Sequence, residues 1–186
     1  GPILQKTYAC LPQIELIHIN EEVNGKSPTH GWDPLDPENH SQLQKRVIDE
    51  GADLGFAFDG DGDRFFAIDD RGNFVSGDFL TALLAQHLLK KNPGSKIVFD
   101  VRSSWAVPNQ IRKFGGIPIQ EKVGHAFIKK RMAVEDAIFG GEVTGHYYFK
   151  DFHFVDSGIL PSLVLLEMLS VLKCTMSKAL EELDST

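Results

Sequence analysis

The 186-residue sequence predicts an α/β fold: two small domains with mixed, mainly parallel sheets flanked by helices. Three observations carry this. Short apolar runs alternate with segments of helical periodicity, the pattern of strands joined by crossover helices. With 42% apolar residues, 13 Phe among them, the chain can bury a substantial core, and long-range disorder is excluded. A break near Val75-Ser76-Gly77 divides a first α/β unit, residues 1–75, from a second, residues 76–186.

In the first unit, residues 14–19 (IELIHI) read as a strand, with His18 a half-buried strand residue. Residues 25–39 are rich in Pro, Gly and Asp and read as a loop. Residues 41–50 have helical spacing, with Leu43 and Val47 at i, i+4 and Gly51 as the stop. Short buried strands follow at residues 54–58 and 65–68, then a turn at Asp69-Asp70-Arg71-Gly72-Asn73. In the second unit, Asp78 is placed to cap a helix carrying Leu80, Leu83, Leu84 and Leu88, which ends near Asn92-Pro93-Gly94. Strand 96–100, helix 104–114, strand 117–120, helix 124–133 and strand 137–139 succeed one another. A loop over 140–146 precedes an aromatic strand, 147–149, and a last helix spans about 156–173. Its Leu163, Leu166, Leu169, Leu172 repeat reads as a core face.

The net charge of −7 opposes non-specific binding to nucleic acid or anionic lipid but leaves room for a metal cation. Two cysteines, Cys10 and Cys174, exclude a disulfide scaffold and a cysteine-rich zinc site, and two reduced thiols point to the cytoplasm. The N-terminal segment has the polar breaks a secretory signal lacks. The most apolar run, residues 159–174, contains Glu167 and is short for a membrane span.

The strongest chemical signal is Asp59-Gly60-Asp61-Gly62-Asp63-Arg64, three carboxylates at i, i+2 and i+4 after a buried strand. Intervening glycines let the three converge, and crowded carboxylates need a cation to remain ionised together. Oxygen-only ligands suit Mg²⁺ or Ca²⁺. An EF-hand also begins with this spacing but requires Gly at its sixth position and an acidic bidentate ligand, usually Glu, at its twelfth, where this chain has Arg64 and Asp70, after a strand instead of a helix. Haloacid-dehalogenase-like phosphatases place Asp-x-Asp after a strand; Asp59 and Asp61 fit that pattern and Asp63 does not.

Several stretches in order resemble the phosphohexomutase superfamily, in particular its bacterial phosphomannomutase/phosphoglucomutase branch. GADLGFAFDGDGDR (residues 51–64) resembles the family's metal-binding loop, and KVGHAFIKKRM (122–132) the segment with an active-site histidine. GGEVTGHYYF (140–149) resembles its sugar-recognition loop, and FDVRSS (99–104) a strand end that often carries Lys where this chain has Arg102. The resemblance implies Mg²⁺ held by Asp59, Asp61 and Asp63 with a phosphoserine oxygen as fourth ligand. It implies Arg64 as a cation beside the phosphate, or else an ion pair with Asp63 or Asp61. Glu142 and Thr144 would contact sugar hydroxyls, with Gly141 and Gly145 letting the loop approach. Arg102 would take the sugar phosphate, and His125 and His146 would act in proton transfer or phosphate contact.

The implied reaction interconverts hexose 1-phosphate and hexose 6-phosphate, of mannose, glucose or both, through glucose or mannose 1,6-bisphosphate. The family's serine segment and its Arg-Ser-Gly-Thr type phosphate clamp match nothing in these residues. The chain is therefore expected to be most of the family's domain two plus domain three, inactive alone. A strand expected ahead of Gly1 would leave the domain-two sheet incomplete, open to self-association. A non-catalytic Mg²⁺- and sugar-phosphate-binding module remains the rival reading.

Overall fold

The computed structural model of the chain describes residues 2–20, 31 and 33–184. Residues 25–30 and 32 of the expected loop at 25–39 therefore lie outside the described residues.

The first sheet has the order β1-β2-β3, made from β1 (Gly55–Phe58), β2 (Phe65–Ile68) and β3 (Phe74–Val75). Both pairings are antiparallel, so the parallel character expected from the sequence belongs to the second sheet alone. The cause is local. The acidic segment 59–64 and the turn 69–73 join consecutive strands directly, and a parallel connection needs a crossover of about a dozen residues or more. The turn is held by Asp69, whose Oδ1 accepts the Arg71 and Asn73 amides at 3.0 and 2.7 Å.

Helix α1 (Pro2–Tyr8) is anchored by Tyr8, whose hydroxyl meets Ser162 Oγ at 2.5 Å. Helix α2 (Pro37–Glu50) begins earlier than its apolar spacing suggests. Asp36 caps it by accepting the Glu38 amide, and Pro37 is tolerated where no amide donor is needed. It stops at Gly51 in the left-handed region, φ 62°, as expected.

Residues 14–19 form no strand, contrary to the apolar run. They line an open groove of about 2730 Å³ together with β1, which is the end strand of the first sheet. An apolar run becomes a strand only by joining a ladder, and residues 14–19 belong to neither sheet.

The second sheet has the order β5-β4-β6-β7, from β4 (Lys96–Asp100), β5 (Ile117–Glu121), β6 (Phe139–Gly141) and β7 (Tyr147–Phe149). β4 is parallel to β5 and β6, and β7 returns antiparallel to β6. β4 is buried on both faces, as the centre of a parallel sheet should be. Ile97 and Phe99 join the main core with Leu80, Leu83 and Leu84 of α3 (Gly77–Lys91) and Val107 of α4 (Ala106–Lys113). Val98, one residue out of phase, packs against Ile128 and Met132 of α5 (His125–Glu135). β6 starts at Phe139 and not at residue 137, because the Ala137 amide closes the end of α5 on Met132 O at 2.9 Å.

Several helix details depart from the sequence reading. Ser76, not Asp78, occupies the N-cap of α3, and Asp78 in the first turn accepts the Phe79 and Ser104 amides and the Ser76 hydroxyl. α6 (Ile159–Leu172) starts later than residue 156, since Asp156 is bridged to Tyr148 and the Gly158 amide donates to Gly62 O at 3.1 Å. The Leu163, Leu166, Leu169, Leu172 repeat is half-buried: all four line the open groove, and Leu169 and Leu172 also pack on the core around the fully buried Leu165 and Met168. α7 (Met176–Asp184) was not anticipated; its Met176, Ala179 and Leu183 complete that core. Phe65 of β2 packs on Tyr147 of β7, ring centroids 6.3 Å apart, so the two sheets share one core.

Candidate active site

The acidic loop leaves the end of β1 and curls so that one oxygen from each of Asp59, Asp61 and Asp63 lies within 4.8 Å of the others. Asp59 is the deepest. Its Oδ1 accepts the Gly62 and Arg64 amides at 3.2 and 3.1 Å, and its Oδ2 accepts Arg64 Nε at 2.6 Å. Burial alone would raise the Asp59 carboxyl, but the Arg64 hydrogen bonds and charge outweigh it and hold it below the usual carboxylate range. Asp63 moves the opposite way: burial, then repulsion from Asp59 and Asp61, raise it against the pull of His146. Uncompensated carboxylate charge with an all-oxygen donor set is what a hard divalent cation such as Mg²⁺ satisfies, so the residues fit that ion.

Arg64 pairs with Asp59, and through Nη1 with Asp33 at 3.1 Å, instead of with Asp61 or Asp63. It braces the loop from within.

The second loop, residues 142–146, links β6 to β7. It is a tight turn: the Glu142 amide donates to His146 O and the Gly145 amide to Glu142 O, both at 3.0 Å. Gly145 sits at φ 86°, and a Cβ there would come within 2.6 Å of the Phe66 ring. A Cβ at Gly141 would meet Thr81 Oγ1 at 2.3 Å. Both glycines are thus required by packing against protein, a constraint separate from the approach of a sugar. Glu142 is buried, with Oε1 accepting the Gly124 amide at 3.0 Å and Oε2 accepting the Tyr148 hydroxyl at 2.6 Å.

The two loops are stitched together. The Phe65 amide donates to Gly145 O at 3.0 Å, and Arg64 and His146 form a β-bridge. The His146 ring spans the join, with Nε2 3.7 Å from Asp63 Oδ1 and Nδ1 3.6 Å from Glu142 Oε2. Thr144 Oγ1 lies 3.3 Å from the same Nδ1. Asp63, His146 and Asp156 also form a group of potential ligands, but Lys129 Nζ already neutralises Asp156 at 2.9 Å. Lys129 of α5 is thereby drawn in against Asp156.

Arg102 is tied to the same loop through Asp100. This carboxylate is fully buried at the end of β4 and accepts the Arg102 amide at 2.7 Å, Arg102 Nη2 at 3.0 Å and the Val143 amide at 2.9 Å. His125 is exposed at the first position of α5, next to Gly124, whose amide holds Glu142. The structure thus gathers Asp59, Asp61, Asp63, Arg64, Glu142, Thr144 and His146 in two joined loops, with Arg102 and His125 linked to them by one residue each. Sequence reasoning missed Asp100 and Tyr148. An Asp ending an otherwise apolar strand (KIVFD) was the available signal for the first; nothing in the sequence marks the second.

Two family models match the chain: phosphoglucomutase/phosphomannomutase α/β/α domain II over residues 1–72 and domain III over residues 76–185. A phosphomannomutase of Escherichia coli K12 is 45% identical over 170 residues, 91% of this chain and 36% of that protein. A phosphomannomutase of Salmonella montevideo is 42% identical over 187 residues, 98% of this chain and 40% of that protein. A crystal structure of a phosphoglucomutase/phosphomannomutase family protein from Burkholderia thailandensis superposes with a TM-score of 0.92 at 33% identity. That likeness covers 98% of this chain and 40% of the other. The chain thus spans well under half the length of the relatives it matches.

Proposed function

Because the chain belongs to the phosphoglucomutase/phosphomannomutase family, we propose that it is the metal-holding and sugar-recognising part of a Mg²⁺-dependent phosphohexomutase. In this reading residues 1–75 carry the metal loop and residues 76–186 the sugar loop. The reaction is interconversion of hexose 1-phosphate and hexose 6-phosphate, of mannose, glucose or both, by way of a phosphoserine and a hexose 1,6-bisphosphate. The observation that carries the proposal is His146, which touches Asp63 of the metal loop and Glu142 of the sugar loop at once.

Asp59, Asp61 and Asp63 would hold Mg²⁺, whose role is to offset charge on the phosphoryl oxygens during transfer. Arg64 keeps Asp59 ionised and adds positive potential beside the phosphate. Glu142 accepts from two neighbouring sugar hydroxyls, and Thr144 adds a third polar contact. Recognition through hydroxyls serves a substrate whose phosphate is at either end. Arg102, held flat by Asp100, takes the non-reacting phosphate. His146 and His125 are placed to move protons or contact phosphate.

Within the 186 residues there is no match to the family's serine segment, so this stretch by itself is proposed to bind sugar phosphate without turning it over. The partners are hexose phosphates, in the cytoplasm, and neither nucleic acid nor membrane, in keeping with the net charge of −7. Among the described residues no single helix is long and apolar enough to cross a membrane. The place of β1 at the end of its sheet, facing a groove also lined by residues 14–19, favours self-association with a second copy; sedimentation velocity should show mass rising with concentration, and a constant monomer mass would sink this.

The test of function is titration of the chain with glucose 1-phosphate in Mg²⁺, beside a coupled assay containing glucose 1,6-bisphosphate. Binding without turnover is expected. Absence of binding, or turnover abolished by Asp61→Asn, would overturn the reading.

A further inference from the structure

The Glu142 carboxylate is gripped from two sides by groups that touch neither the metal loop nor a phosphate. Gly124 donates its amide to Oε1 at 3.0 Å, and Tyr148 donates its hydroxyl to Oε2 at 2.6 Å. Both Glu142 and Tyr148 are buried, at 2% and 0% exposure, so water does not compete for these bonds. From this geometry we infer that Tyr148 is a positioning residue for hexose recognition, fixing Glu142 in the orientation that accepts two neighbouring sugar hydroxyls. The inference rests on the reading of Glu142 as the sugar contact.

The chemistry is that of a carboxylate's lone pairs. An ionised carboxylate offers about four acceptor sites, two on each oxygen. The Gly124 and Tyr148 bonds use one site on each oxygen and leave acceptor capacity on both, enough for hydroxyls on adjacent ring carbons. A glutamate free to rotate would lose rotamer freedom when it bound the sugar; one held beforehand has already done so.

Tyr148 is suited to the task. Burial, then the Glu142 hydrogen bond and charge, push its hydroxyl far above the ordinary tyrosine range, so it remains a donor wherever the protein is folded. Its ring is fixed independently of that bond. It packs with Val98, Ile128 and Met132, has Lys129 Nζ over its face at 5.5 Å, and is bridged through its backbone to Asp156. Phenylalanine would keep the ring in place and remove only the donor. Tyr147, its neighbour on β7, supplies the control: it is equally buried, but its hydroxyl has no hydrogen-bond partner among the described residues.

The experiment compares affinity for glucose 1-phosphate with affinity for inorganic phosphate, in Mg²⁺, for the chain and three variants. Tyr148→Phe is expected to lower glucose 1-phosphate affinity about tenfold, the loss of one bond to a charged group, and to leave phosphate affinity unchanged. Tyr147→Phe should change neither. Glu142→Ala should abolish the preference for the sugar. If Tyr148→Phe keeps the full preference while Glu142→Ala loses it, the inference is wrong and the sugar reading stands. If Glu142→Ala keeps the preference, or the unaltered chain shows none, the sugar reading falls and the inference with it. Should Tyr148→Phe fail to fold, the unaltered chain labelled at tyrosine Cζ decides: the Tyr148 resonance must shift with glucose 1-phosphate and stay still with phosphate, and a resonance unmoved by the sugar overturns the proposal.

Discussion

His146 Nε2 lies 3.7 Å from Asp63 Oδ1, across the join between two loops that come from different sheets. The same ring reaches Glu142 through Nδ1, so the metal loop and the sugar loop share one side chain. If one ligand changes the affinity for the other through this side chain, the two factors are equal.

Mg²⁺ and glucose 1-phosphate are therefore expected to bind with reciprocal coupling of about fivefold or more. His146→Gln should bring that factor close to one while leaving Mg²⁺ affinity measured alone nearly unchanged. Calorimetric titration of each ligand with and without the other checks it, and coupling that survives the substitution would show that the loops communicate by another route.

The three loop aspartates should separate by role. Asp61 is exposed and accepts no hydrogen bond from the loop among the described residues, so Asp61→Asn should weaken Mg²⁺ binding with little change in melting temperature. Asp59→Asn should do both, because it loses the charge-assisted bond to Arg64, a cost of about 2 kcal/mol. Thermal melts and Mg²⁺ titrations of the two variants side by side give the comparison.

Much of this was legible from residues alone because the signals were local. The Asp59 to Asp63 spacing after β1, the Gly51 stop and the buried β4 each depend on a few neighbouring residues, and the structure follows them. What failed depended on partners distant in sequence. Residues 14–19 have strand composition, but a strand needs a ladder, and neither sheet includes them. The antiparallel first sheet follows from the shortness of its connections, which the alternating pattern did not register. The alternative reading of Arg64 paired it with Asp63 or Asp61, yet it bonds Asp59 and, far back in the chain, Asp33. Tyr148 looked like one more aromatic in a strand, because only the fold brings its hydroxyl to Glu142.

Acid should loosen the contact between the start of α3 and the start of α4. Burial acts to raise the Asp78 carboxyl, but hydrogen bonds from Ser104, Ser76 and Phe79 outweigh it and leave it below its ordinary value of 3.8. A folded-state value that is depressed contributes stability at pH above the unfolded value, lost as pH falls through the folded one. Urea unfolding measured from pH 6 downward should show stability declining below about pH 4, and Asp78→Asn should flatten that decline. The slope should not vanish, since Asp70 and Asp156 are lowered as well, by Ser177 and Lys129. An unchanged slope in the variant would remove Asp78 from the acid response.

Asp100 offers the sharpest separation of fold from function. It is expected to touch no ligand, yet it holds Arg102 by backbone and side chain and the sugar loop by the Val143 amide. Asp100→Asn keeps one oxygen and nearly the same shape but removes the charge and turns one acceptor into a donor. That donor would face either Arg102 or the Val143 amide, so one of the two contacts must break. The stability cost should be about 2 kcal/mol, below that of a wholly buried ion pair, because Arg102 is 42% exposed. Affinity for glucose 1-phosphate should fall further than Arg102→Ala alone makes it fall, since the variant disturbs the phosphate contact and the sugar loop together. Mg²⁺ affinity should hold, because the metal loop is braced through Asp59 by Arg64 and Asp33 on the other side of the join. Denaturant melts and separate titrations with Mg²⁺ and glucose 1-phosphate test all three expectations. A variant that loses stability but keeps its sugar-phosphate affinity would make Asp100 a core residue without a part in the site.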